Sequence, residues 1–210
     1  MYGDPHIVTL DGLKYTFNGK GEYVLIETDG NIFTLQGRMV QAEGVDGNDV
    51  DATVFSALVA MQSDSDIVQF ELGALGIDAF VNGERVVFSD LDEQPFNNVT
   101  VMYKGNNSYS ATFSTGVYIE VRLENDIIST VLISLPISFH ETTSGLMGSF
   151  NGDTSDDLAP RTDSGVGQPI SVNATLQEIH EMFGVTCKNQ LNNCYVIARI
   201  MSLFQCRDYK

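Results

Sequence analysis

Between Ile7 and Leu135 the sequence repeats one unit, a short run of β-branched and aromatic residues closed by Gly, Asn or Asp. That rhythm leaves little choice besides an antiparallel all-β domain. The expected strands include 23–26, 53–59, 67–72, 117–121 and 127–135, with the clearest in-out alternation in 53–59 and 67–72. Asn82-Gly83, set between Ile77–Val81 and Arg85–Phe88, predicts a tight hairpin, because both residues tolerate the positive φ of a type I′ turn. Repeated short turns imply a β-sandwich or meander of many short strands rather than βαβ units. Helix is expected only after Ala174, where Thr175-Leu176-Gln177-Glu178 has the form of a capping box and 195–204 is apolar enough to pack. The Asp-, Ser-, Gly- and Thr-rich stretch 153–168 reads as a loop. The resulting division is a β-domain over 1–158, a loop or linker over 159–173, and a short helical, cysteine-bearing C-terminal appendage over 174–210.

At 210 residues, 43 % of them hydrophobic, the chain can bury roughly 70 % of its unfolded surface, so it is not a disordered acidic tail. Its 28 acidic and 11 basic side chains give a net charge of −17, which argues against nucleic acid or an anionic membrane surface as partner. The longest uncharged apolar run, 130–139, has about half the length a bilayer requires, so no direct membrane insertion is expected. Met1 is followed by Tyr-Gly-Asp-Pro and not by a basic, then hydrophobic leader, so the sequence is expected to be a segment of a larger protein. Cys187, Cys194 and Cys206 all fall near the C-terminus; three cysteines permit at most one internal disulfide, and their spacing matches no common zinc pattern.

Two motifs carry chemistry. Gly3-Asp4-Pro5-His6 is followed by Thr9-Leu10-Asp11-Gly12 and Tyr15-Thr16-Phe17, and Gly145-Leu146-Met147-Gly148-Ser149-Phe150-Asn151-Gly152-Asp153 runs on into Thr154-Ser155-Asp156-Asp157. Placed at the two ends of a β-domain of this size, the pair resembles the von Willebrand factor type D domain, over roughly residues 3 to 185. The resemblance is to the branch in cell-surface proteins that combine nidogen-like, AMOP and type D modules. Secreted members have cysteines where Ser144 and Met147 stand here, so their disulfide-linked multimer chemistry is not carried over.

The loop from Asn151 to Asp157 offers carboxylates and an amide oxygen around a glycine turn, the chemistry Ca2+ requires, although the bidentate Glu of an EF-hand is missing. The resemblance implies Asp11, Asn151, Asp156 and Asp157 as side-chain ligands with a main-chain oxygen near Asp153; Ser149 replaces the family's usual Asn. The rival reading is a solvated turn whose Asp and Asn side chains cap their own backbone. The resemblance also implies autoproteolysis at Asp4-Pro5. The Asp4 carboxylate would attack its own carbonyl, Pro5 nitrogen would leave, and His6 would donate the proton to it, with Gly3 permitting the strained backbone.

Sequons at Asn98, Asn106 and Asn173 fit a glycoprotein. His140 and His180 have no partner at metal or catalytic spacing, and the nucleophile, zincin and phosphate-loop signatures are missing, so an acidic hydrolase using Asp156 and Asp157 is the weaker alternative. The expected function is an extracellular, calcium-binding structural and interaction module, secreted or part of an ectodomain. It would contact other extracellular or cell-surface proteins, or other modules of its parent, in adhesion, junction or barrier assembly. Self-processing at Asp4-Pro5 is the alternative, and turnover of a separate substrate is not expected.

Overall fold

A computed structural model describes residues 5–43, 49–89, 91–162 and 165–188. Strands β1 (His6–Val8) and β2 (Lys14–Thr16) form a hairpin of their own, followed by β3 (Gly21–Thr28), β4 (Phe33–Glu43) and β5 (Asp49–Gln62). Next come β6 (Val68–Gly73), β7 (Gly76–Val81), β8 (Glu84–Val86), β9 (Glu93–Phe96), β10 (Val99–Gly105) and β11 (Ser108–Phe113). β12 (Tyr118–Glu124), β13 (Ile127–Ser134) and β14 (Thr143–Ser144) complete the large sheet. β15 (Arg161–Thr162) and β16 (Gly165–Val166) form a minimal hairpin inside the stretch read as loop.

The expected all-β class and all five strand segments are present. One antiparallel sheet holds twelve strands in the order β14-β3-β4-β5-β13-β12-β11-β10-β9, with β6, β7 and β8 branching from β5. β5 is the branch point because β4 covers one of its edges from Asp49 to Gln62 while the other edge is divided: Ala57–Ala60 pair with β6, whereas Phe55 pairs with Ile128 of β13. The sheet therefore curls, and residues of distant strands meet inside it. Phe33 of β4 and Phe113 of β11 make an edge-to-face contact with ring centroids 5.3 Å apart. Asn82 and Gly83 have φ of 51° and 83°, the positive values expected for that hairpin.

The predicted capping box also forms. Thr175 Oγ1 accepts from the Glu178 amide (3.2 Å), and the Glu178 carboxylate accepts from the Thr175 amide (2.8 Å). It opens a short helical stretch running through Leu176–Glu178, Ile179–Phe183 and Gly184–Cys187. Ile179, Phe183 and Cys187 are buried in the same core as Phe17 and Tyr23. His180 stacks on Phe17 at 5.5 Å, and Phe183 meets Tyr15 edge-on at 6.0 Å. The chain is drawn back to β3 before this point, where Arg161 pairs with Glu27, and the Ile170 amide donates to the Leu158 carbonyl (3.1 Å). The helix expected over 195–204, together with Cys194 and Cys206, lies outside the described residues; Cys187 is a free thiol that burial pushes up to about 12.

Candidate functional site

The second motif is built onto the first by main-chain bonds. After β13 the chain crosses β3: the Leu146 amide donates to Val24 O (3.0 Å), the Met147 amide to Leu25 O (2.9 Å), and the Leu10 amide to Met147 O (2.9 Å). Tyr15 OH closes the arrangement by donating to Leu146 O. Gly145 is buried at φ +118°, and a Cβ there would stand 2.6 Å from Leu25 O. The glycine is thus required both by backbone conformation and by close approach.

From this support the acidic loop reaches Asp11, which sits in the turn following β1. One carboxylate oxygen of Asp11, Oδ2, accepts from the amides of Asn151 (3.0 Å), Gly152 (2.8 Å) and Asp153 (3.1 Å). Residues 140 apart in sequence are therefore tied directly, protein to protein. Within the loop, Asn151 Oδ1 accepts from the Asp153 amide (2.8 Å) and Asp153 Oδ1 from the Ser155 amide (2.9 Å), the backbone caps that a solvated turn would show. Those Ser155 bonds hold the exposed Asp153 carboxyl below the usual carboxylate range.

The solvated turn does not account for the next two residues. Asn151 Nδ2 donates to Asp156 Oδ2 (2.7 Å) and Thr9 Oγ1 donates to Asp157 Oδ2 (2.6 Å), yet Asp156 Oδ1 and Asp157 Oδ1 are both buried with no hydrogen-bond partner. Asp157 is only 1 % exposed. Burial pushes its carboxyl up to about 6; the Thr9 hydroxyl and, more weakly, the Ser149 amide oppose this, and the charges of Asp11 and Asp156 add to it. Among the described residues no well-aligned donor meets either buried oxygen, which is costly in an ordinary turn, and a cation would satisfy them.

Hydrogen bonds thus join Asp11, Asn151 and Asp156 with the Asp153 amide, while Asp157 is bonded to Thr9 and meets Asp11 and Asp156 through their charges. Among the described residues no three His, Cys, Asp or Glu side chains converge as a ready-made metal cluster. Thr9, which holds the buried acid, belongs to the first motif, where nothing in the sequence marks that role. At the other motif, His6 is exposed on β1 with Nδ1 3.0 Å from Thr16 Oγ1, and Pro5 O accepts from the Phe17 amide (3.2 Å). Asp4 lies outside the described residues. Asn98, Asn106 and Asn173 all occupy exposed positions, the first two in hairpin turns at φ of 54° and 50°.

Comparison with known proteins yields one family and a consistent set of relatives. The von Willebrand factor type D domain matches residues 1–164. The chain is similar to Protein mesh of Bombyx mori (40 % identical, 75 % of this chain and 11 % of that protein) and to Sushi domain-containing protein 2 of Homo sapiens (30 % identical, 75 % and 19 %). It is also similar to Mucin-4 of Homo sapiens (35 % identical, 75 % and 3 %), so the chain spans a small part of each relative's length. Relatives of this kind are cell-surface or secreted proteins, and among the described residues no helix is long and apolar enough to cross a membrane.

Proposed function

Since the chain belongs to the von Willebrand factor type D family, we propose that it is an extracellular interaction module whose fold is completed by calcium at the junction between its two motifs. The observation that carries the reading is the pair of buried, unpartnered oxygens on Asp156 and Asp157. Together with the second oxygen of Asp11, the Asn151 side chain and a main-chain oxygen near Asp153, they form a donor set of the hard, anionic kind calcium selects. When bound, the ion supplies positive charge against which the buried acids can stay ionised. The chain's own residues do the rest: the amides of 151–153 orient Asp11, and Thr9 orients Asp157. Such a module acts through protein contacts, and its place in adhesion, junction or barrier assembly follows from the company its relatives keep.

The test is calorimetric titration combined with thermal unfolding in calcium and in chelator, on the wild type and on Asp156→Ala. Heat of binding at or below millimolar calcium, with a rise in midpoint that the substitution removes, is the expected result. No heat at several millimolar calcium overturns the reading.

A second reading rests on His6. Its exposed ring, oriented by Thr16, stands two residues from the Asp4-Pro5 bond, where it can protonate the departing Pro5 nitrogen while Asp4 closes on its own carbonyl and water reopens the anhydride. Intact-mass analysis after prolonged incubation at mildly acidic pH is expected to show loss of Met1–Asp4, slowed by His6→Gln. An unchanged full-length mass sinks it.

A further inference from the structure

A cleft of about 580 Å³ lies between β1, the first half of β5 and β13, and Thr9, Leu10 and Met147 of the two motifs are among its lining residues. Its walls mix apolar side chains, including Ile7, Phe55, Ile128 and Val131, with polar ones such as Thr53 and Ser129. Two of its lining residues, Val8 and Leu132, are large hydrophobics left 47 % and 46 % exposed. What distinguishes it from an ordinary apolar depression is the backbone around it. β13 is paired along its whole length with β12, but among the described residues its opposite edge meets β5 only at the Ile128–Phe55 pair, because β5 turns to β6 beyond that point. β1 is paired with β2 alone, so its outer edge is likewise without a strand partner among the described residues. Both edges line the same cleft.

Open strand edges recruit other strands, and proteins normally blunt them. The other edges of this sheet follow that rule: β9 carries Glu93 and Pro95, β8 carries Glu84 and Arg85, and β14 is two residues long. The open edge of β13, Ser129-Thr130-Val131-Leu132-Ile133-Ser134, carries no charge, no proline and no glycine. An acyl chain or other apolar small molecule would fill the volume but leave the amides and carbonyls of both edges unsatisfied, whereas an extended peptide would fill the volume and pair them. Charge selects among peptides. Glu124 stands exposed at the lip with no ion-pair partner among the described residues, on a chain of net charge −17.

We infer that this cleft is a strand-addition site for an extended segment of another protein, apolar at alternate positions and flanked by lysine or arginine. The inference rests on the two strand edges and not on calcium or scission.

The probe is a fluorescein-labelled octapeptide alternating valine with lysine and threonine, its binding to the full chain followed by fluorescence anisotropy. Saturable binding is expected, weakened at least tenfold by Leu132→Lys and by Val8→Lys, both at exposed positions, with the unfolding midpoint unchanged. Methylating alternate peptide nitrogens keeps the side chains but removes main-chain donors, and is expected to abolish binding; Glu124→Gln is expected to reduce both affinity and its salt dependence. Equal binding of the methylated peptide, binding unaffected by both lysine substitutions, or no binding at all overturns the inference. So does self-association through the cleft, seen by sedimentation and relieved by Leu132→Lys, because the occupant would then be a second copy.

Discussion

Asp157→Asn is expected to raise the unfolding midpoint of the calcium-free protein at pH 7 while erasing its response to calcium. The argument starts from an acid ordinarily at 3.8 that burial has moved to about 6 in the folded chain. Between those values the folded state holds a proton that the unfolded state has lost. The resulting stability is full below about 3.8 and disappears as pH rises through about 6. At neutral pH the ionised, buried carboxylate therefore costs about 3 kcal/mol at about 1.4 kcal/mol per pH unit, or roughly 6–12 °C for a domain this size. Asparagine removes that charge and with it the slope between pH 4.5 and 7. In the same window Glu120, its charge favoured by Lys104, Tyr118 and Arg122 against its burial and its carboxyl held down at about 2, stays ionised and does not confuse the result. Urea unfolding of both proteins across that range, with and without calcium, checks all three parts. A calcium-free variant less stable than the wild type at pH 7, with the pH slope retained, would show that Asp157 is not the buried acid described here.

Gly145→Ala is expected to cost at least about 3 kcal/mol, enough to lower the midpoint by roughly 6–12 °C. At φ +118° any L side chain is strained, and here the added carbon would also meet the carbonyl oxygens of Leu25 (2.6 Å) and Val24 (3.0 Å), backbone atoms that cannot rotate aside. Moving them breaks the bonds from Leu146 and Met147 to β3, the support of the acidic loop. Gly12→Ala is the control, because Gly12 has φ +100° but nothing within 4 Å of its added carbon. It isolates backbone strain, and its cost is expected to be clearly smaller. Equal costs in urea unfolding would remove close approach as the reason for Gly145.

Strand positions were legible because alternation is a local property. Ile77-Asp78-Ala79 shows which side faces the core without knowledge of any neighbour, and Asn82-Gly83 and Thr175-Glu178 announce a turn and a cap in the same local way, whereas in Val68-Gln69-Phe70 the polar residue is buried with the other two. The loop residues Asn151, Asp156 and Asp157 were also findable, since they set acids around a glycine turn, whereas Asp11 was reached only through the resemblance carried by the two motifs. What the sequence could not show is carried by atoms every residue shares. The Asp11 carboxylate is held by three main-chain amides, which leave no trace in residue type. The split pairing of β5 depends on strand length against two neighbours, and the stacking of His180 on Phe17 spans 163 positions that no local period connects. β15 and β16 are two residues each, too short to alternate.

The tie between Asp11 and residues 151–153 closes a ring of 140 residues, whose loop entropy is about 4 kcal/mol. The hairpins of the sheet each close over a few residues and so can form at little entropic expense. Only when they have been laid side by side do Thr9 and Asp11 come within reach of the loop that follows Gly145. The tie at Asp11, like the stack of His180 on Phe17 and the pairing of Arg161 with Glu27, is one of several closures over more than 100 residues, each costlier in loop entropy than any hairpin. The buried acid Asp157 is thus withdrawn from water only where chain segments far apart in sequence have already met.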